Sequence, residues 1–95
     1  MKFIDTENTR RALAFERLIP ALKEMFVAGC EVPLRHTHTL HPPGAPSPRT
    51  VLIMPAWQSD RYLGIKTVNI FPENGQRGLP GLYSTYLLYD GASGE

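Results

Sequence analysis

The sequence predicts an α/β chain of the α+β type, with an antiparallel or mixed sheet and one main helix packed on it. Three observations support this fold class: one amphipathic helical segment lies in the first third, four strand-like runs follow, and Pro- and Gly-rich connections separate them. Successive strands joined by short connections favour an antiparallel meander. At 95 residues, the chain is expected to form one domain or part of one.

The first segments predict a short strand and a short helix. Residues 2–5 contain the apolar pair Phe3-Ile4 and indicate a strand. Residues 6–12 are polar and indicate a helix, which Asp5 or Thr6 would cap.

The main helix is predicted between residues 15 and 29. Apolar residues recur there at three- and four-residue steps on one face, namely Leu18, Ala21, Leu22, Met25 and Phe26. Because Pro20 lacks a backbone N–H, we expect the helix to begin near Glu16 or Arg17. Gly29 favours its end.

The rest of the chain predicts strands at residues 35–40, 50–55, 62–71 and 82–89. In the first of these, alternation places His36 and His38 on one face and Arg35 on the other. The intervening segments 41–48, 56–61 and 72–81 are predicted to be loops or turns. A hairpin partner is expected after the last strand, which would otherwise expose backbone N–H and C=O groups.

Composition excludes several classes of function. The net charge of +1 gives no electrostatic reason to expect a nucleic acid or an anionic membrane as partner. We find no signal peptide and no apolar run of about 18 residues, so a cytoplasmic location is expected. Cys30 is the only cysteine, so it forms no disulfide within the chain.

Two cations are the leading candidates for chemistry. Lys66 lies within the apolar run GIKTVNIF, where an amine either faces solvent or binds a carboxylate and assists proton transfer. Arg35 precedes the histidine-containing strand, where its guanidinium either lies at the surface or holds a carboxylate with two hydrogen bonds.

Metal binding and a phosphate-binding loop are less favoured. His36, His38 and His41 suggest a metal, but no cysteine or acidic cluster accompanies them, so no metal is expected. The chain contains neither GxGxxG nor GxxxxGK[ST], and a strand follows its glycine-rich segment where a phosphate loop would open a helix.

The segments VPLRHTHTL, TVLIMPAW and YLGIKTVNIFPENGQRGLPGLYSTYLLYD together resemble the N-terminal region of the ornithine cyclodeaminase/mu-crystallin family. The resemblance implies that residues 1–95 are part of a substrate-binding and dimerisation domain. It also implies a Rossmann domain that binds NAD or NADP and lies outside this chain, so these residues alone would not be catalytic and would bind no cofactor.

The resemblance also implies site residues. Arg35 and Lys66 match the family residues that bind the carboxylate of an amino or imino acid, with Lys66 also catalytic, and Tyr83 is expected to contact substrate. Many relatives carry threonine after Gly-Leu-Pro, whereas this chain has Gly81. The substrate is therefore not identified as ornithine.

Three functions follow as alternatives. The first is an NAD(P)-dependent enzyme of cyclodeaminase, ketimine reductase or amino-acid dehydrogenase type, working as a homodimer. The second is a non-catalytic module of the same fold that binds a small ligand or dimerises. The third is a metal-binding β domain that uses the histidines.

Overall fold

The computed structural model describes residues 1–95 and has the predicted α+β composition. Its elements are the helices α1 (Thr6–Ala12) and α2 (Phe15–Ala28), the strands β1 (His36–Leu40), β2 (Arg49–Gln58), β3 (Tyr62–Ile70) and β4 (Leu82–Asp90), and a 3-10 helix (Pro72–Arg77). The strands form one antiparallel sheet in the order β1-β2-β3-β4, which confirms the predicted meander. No helix is long and apolar enough to cross a membrane.

The chain begins without a strand. The strand predicted at residues 2–5 is wrong, because Phe3 and Ile4 pair with no other segment and remain exposed. Helix α1 agrees with the prediction, and Asp5 caps it by accepting a hydrogen bond of 2.8 Å from the backbone N–H of Asn8.

Helix α2 begins at Phe15, slightly before the predicted start, and Gly29 follows its last residue with φ 78°. Pro20 therefore lies in the sixth position of the helix, where one backbone hydrogen bond is lost. The expectation that α2 packs on a sheet face is wrong. The helix has no buried residue, Leu22 and Phe26 are exposed, and the extensive contacts of the molecule join only neighbouring strands.

The second half of α2 lies beside the end of the β2–β3 hairpin. Ala21, Glu24, Met25 and Ala28 line a shallow cleft together with Gln58, Arg61 and Tyr62. The chain is attached at this end by backbone hydrogen bonds between Glu31 and Trp57 and by the Gln58 amide, which donates to the Gly29 carbonyl at 3.0 Å. These polar contacts fix the end of the helix without covering the sheet.

Strand β2 extends beyond its predicted end at Pro55. Ala56 and Trp57 pair with Gly64 and Leu63, so the turn occupies only residues 59–61. Asp60 takes a left-handed conformation there (φ 60°), which aspartate tolerates better than most residues.

The register gives the sheet two distinct faces, because directly paired residues point to the same side. One side, here called the lysine face, carries Leu52, Met54 and Ala56 of β2, Gly64, Lys66 and Val68 of β3, and Ser84, Tyr86 and Leu88 of β4. The other side, here called the histidine face, carries His36 and His38 of β1, Val51 and Ile53 of β2, Ile65 and Thr67 of β3, and Tyr83, Thr85 and Leu87 of β4.

Very little of this molecule is buried. Only Gly64 and Val68 are enclosed, and both belong to the lysine face. The accessible surface of 7894 Å² exceeds the roughly 5,500 Å² typical of a compact protein of this mass. The radius of gyration is 16.6 Å, against about 12.4 Å for a compact chain of this length. Both sheet faces therefore lie open.

The connection between β3 and β4 is held by a half-buried polar cluster. Glu73 accepts a hydrogen bond of 3.1 Å from the backbone N–H of Ser47 and lies 3.7 Å from the Arg49 guanidinium. Arg49 also lies over the ring of Phe71, 5.3 Å from its centroid. The cluster attaches the proline-rich loop before β2 to the 3-10 helix.

We expect Glu73→Ala to lower the free energy of unfolding by about 2 kcal/mol, because the Ser47 N–H and Arg49 both lose their partner in a half-buried place. Glu7→Ala removes two ion pairs, with Arg10 and Arg11, whose side chains are 62% to 72% exposed, and should cost about 0.5 kcal/mol or less. Urea unfolding of both variants measures the difference. Equal losses would show that the Glu73 cluster contributes no more than a surface pair.

Candidate functional site

Lys66 lies at the centre of the lysine face. It pairs with Met54 on one side and with Tyr86 on the other, and its neighbours along β3 on this face are Gly64 and Val68. The two neighbours are buried whereas Lys66 is exposed, so the amine rises from the most enclosed part of the sheet. Lys66 takes part in none of the ion pairs of the structure.

Arg35 lies next to β1 in a segment with one extra residue. Glu31 pairs with Trp57 and His36 pairs with Ile53. Between these two pairs the chain advances five residues before β1 but only four residues in β2. An extra residue of this kind forms a bulge, which redirects the side chains near it. Arg35 directly precedes the His36–Ile53 pair and lies outside the paired register.

The register pairs Lys66 with Met54, and Arg35 precedes the residue that pairs with Ile53, so the two predicted cations lie on opposite sides of the same stretch of β2. Positions on β1 and β3 are separated by two strand spacings, which is about 10 Å. The long side chains of arginine and lysine can span this separation to meet one ligand. Arg35 is exposed and forms no ion pair, so both cations are free to bind an anion.

No carboxylate of the chain is available to neutralise Lys66 on this face. Asp90 ends β4 on the lysine face, where it pairs with Tyr62. Its carboxylate accepts hydrogen bonds from the backbone N–H groups of Ser93 and Ala92 and from the Ser93 hydroxyl, and these bonds lower the pKa of Asp90. The Asp90 carboxylate is thus engaged within its own turn.

Tyr83 is separated from Lys66 by the sheet. It pairs with Asn69, three positions from Lys66 along β3, and the odd spacing puts it on the histidine face. The hydrogen bond of 3.0 Å between the hydroxyls of Thr67 and Thr85 supports this parity, because both threonines belong to the histidine face. The structure does not bring Tyr83 together with the cations.

Tyr86, which the sequence analysis did not single out, lies beside Lys66, whereas Tyr83 was the tyrosine expected to contact substrate. Tyr86 pairs directly with Lys66, and its ring leans along β3 across Gly64. A Cβ at position 64 would lie 2.7 Å from Cζ of Tyr86 and closer still to the hydroxyl oxygen. Gly64 is thus required for this ring position. The tyrosine-containing run was visible in the sequence, but its register against Lys66 was not.

The histidines and the clefts lie elsewhere. His36 and His38 are on the histidine face, and no group of three or more His, Cys, Asp or Glu side chains is arranged to hold a metal ion. A cleft of about 440 Å³ lies at the β2–β3 turn and includes Trp57, Asp60 and Tyr62. It contains neither predicted cation and no basic side chain, so its residues do not fit the pyrophosphate of a dinucleotide.

Three known proteins are similar to almost the whole chain. An uncharacterised protein of Schizosaccharomyces pombe is 38% identical over 95 residues, covering 98% of this chain and 29% of that protein. The Delta(1)-pyrroline-2-carboxylate reductase of Colwellia psychrerythraea is 33% identical over 96 residues, covering 100% and 30%. The protein SAR DEFICIENT 4 of Arabidopsis thaliana is 35% identical over 99 residues, covering 98% and 29%.

The chain thus spans about 30% of the length of the curated relatives it matches. No family model matches it. The similarity to the reductase links these residues to a protein of amino-acid metabolism with oxidoreductase activity.

We expect Gly64→Ala to displace the Tyr86 ring at a cost of about 1 kcal/mol or less, because the new methyl group meets only the outer atoms of an exposed side chain that can rotate away. Gly75→Ala is the matched control, since a Cβ there meets nothing within 4 Å. Denaturant unfolding compares the two variants. Combining Gly64→Ala with Tyr86→Ala should recover most of the loss, and a fully additive double variant would contradict the contact.

Proposed function

We propose that the polypeptide carrying this sequence is an NAD(P)-dependent reductase of the ornithine cyclodeaminase/mu-crystallin family, acting on a small amino or imino acid. In this proposal the 95 residues supply part of the substrate site. The observation that supports it most directly is that two cations without an ion-pair partner, Arg35 and Lys66, flank the same stretch of β2. The similarity to Delta(1)-pyrroline-2-carboxylate reductase gives the substrate class.

The chemistry of the two cations suits a carboxylate. A guanidinium offers two parallel N–H groups to the two oxygens, and an ammonium adds a compact charge with three donors. Held by both, the carboxylate would fix the position of the adjacent carbon, which bears the nitrogen in an amino or imino acid. Orientation of this kind lowers the free-energy barrier of the reaction, because the translational and rotational entropy of the substrate is already lost when it binds.

Lys66 has a second proposed role in proton transfer. Reduction of an imine leaves a nitrogen that must be protonated, and an amine next to the carboxylate site can give or hold that proton. A nicotinamide cofactor supplies the hydride when bound. The proposal assigns its binding to residues outside these 95, because the cleft at the β2–β3 turn has no basic side chain for a pyrophosphate.

We expect Arg35→Ala and Lys66→Ala each to lower kcat/KM by about 10- to 150-fold, corresponding to a lost charged hydrogen bond of about 1.5–3 kcal/mol. The test uses the longest natural polypeptide that carries this sequence, with Delta(1)-pyrroline-2-carboxylate and NADH or NADPH. Lys23→Ala and Arg77→Ala remove exposed cations from α2 and the 3-10 helix and should leave turnover unchanged.

Wild-type turnover in both Arg35→Ala and Lys66→Ala would contradict the site. Binding of the substrate by the wild-type protein without any turnover would instead favour a non-catalytic ligand-binding module. The two outcomes are separated by measuring the dissociation constant beside the rate.

We further propose that the protein is a homodimer. The open sheet faces motivate this, since exposed apolar side chains such as Leu82, Leu87 and Leu88 favour association. Sedimentation equilibrium should show self-association of the 95-residue protein at micromolar concentration. A folded monomer that persists at high concentration would contradict this proposal and leave the substrate site untouched.

A further inference from the structure

We propose that Tyr86 contacts the carbon skeleton of the substrate and limits its size, and that the missing side chain of Gly64 leaves the space that the Tyr86 ring occupies. This inference rests on the proposed function, because it assumes that the substrate carboxylate binds at Lys66. It adds a specificity-determining residue that the match of the sequence to the family did not indicate.

The ring is placed beside the amine by the sheet itself. Tyr86 and Lys66 are directly paired, and such pairs lie about 4.5–5.5 Å apart between Cβ atoms. Gly64 pairs with Leu88 in the next row of the same face, and the Tyr86 ring extends from its own row towards Gly64. The ring therefore occupies the space that any other residue at position 64 would fill.

The ring is available to a ligand. Tyr86 is 63% exposed although it covers the buried Gly64, so its outer surface is open to solvent. The cation–aromatic contacts of the structure involve Arg49 with Phe71 and Arg61 with Tyr62, so the amine of Lys66 does not occupy the ring face. The aromatic surface and the amine are both free, side by side.

This pair matches a molecule with a charged end and an apolar body. The carboxylate of an imino acid at Lys66 would leave its ring atoms next to Tyr86 on one side and Met54 on the other. An aromatic ring beside the carboxylate site takes up space there, so it would favour a compact ring and disfavour a larger one. One methylene group in such a place changes discrimination by about 10- to 200-fold.

The experiment measures selectivity between the five-membered Delta(1)-pyrroline-2-carboxylate and its six-membered homologue, in the same natural polypeptide. Tyr86→Ala should raise kcat/KM for the larger ring relative to the smaller by about tenfold or more. Tyr86→Phe should keep the wild-type ratio, because the ring remains. Leu87→Ala, at the neighbouring position on the histidine face, should also keep the wild-type ratio.

Tyr86→Leu guards against a folding defect in the alanine variant, since leucine keeps an apolar side chain on the strand but lacks the outer ring atoms, and it should give an intermediate ratio. A ratio unchanged within twofold in Tyr86→Ala and Tyr86→Leu overturns this inference. If Arg35→Ala and Lys66→Ala still lose turnover in that case, the proposed function stands without it. A wild-type protein that reduces neither ring overturns both.

Discussion

The antiparallel backbone ladder is the interaction on which the rest of this structure depends. Of 54 backbone hydrogen bonds, 38 lie within the helices and strands, whereas only two residues are buried. Side-chain packing therefore contributes little to the order of the strands in the isolated chain. Because paired residues share a face, the ladder decides which side chains become neighbours, and it places Met54, Lys66 and Tyr86 in one row.

A one-residue change in register would invert this arrangement. Side chains alternate between the faces with a period of two. A slip of one residue would therefore move Lys66 from the lysine face to the histidine face and separate it from Tyr86. The β2–β3 turn of residues 59–61 and the bonded 3-10 connection act against such a slip. The Asn74 amide, which donates to the Pro80 carbonyl at 2.9 Å, is part of that connection.

Local patterns predicted the elements well, and long-range relations poorly. The period of α2, the alternation around His36 and the Pro-Gly loops predicted both α-helices and four strands, because these signals depend on neighbouring residues. The 3-10 helix Pro72–Arg77 lies in a segment that was predicted to be a loop. The short run at residues 2–5 failed because a strand needs a partner. The sequence could not decide which of Tyr83 and Tyr86 shares a face with Lys66, because that depends on the number of residues in the connection between β3 and β4. The apolar stripe of α2 favours packing against a sheet face, but no sheet face of this chain covers it.

The open faces also bear on how strongly the site can bind. Opposite charges 4 Å apart attract by about 1 kcal/mol in water but about 4 kcal/mol at the effective dielectric near a protein surface. Lys66 is exposed, so a carboxylate meeting it in the isolated chain would be held weakly. Any element that covers the lysine face would remove water from the amine and strengthen that attraction. Covering this face and binding a substrate would then be thermodynamically linked, each favouring the other by the same free energy.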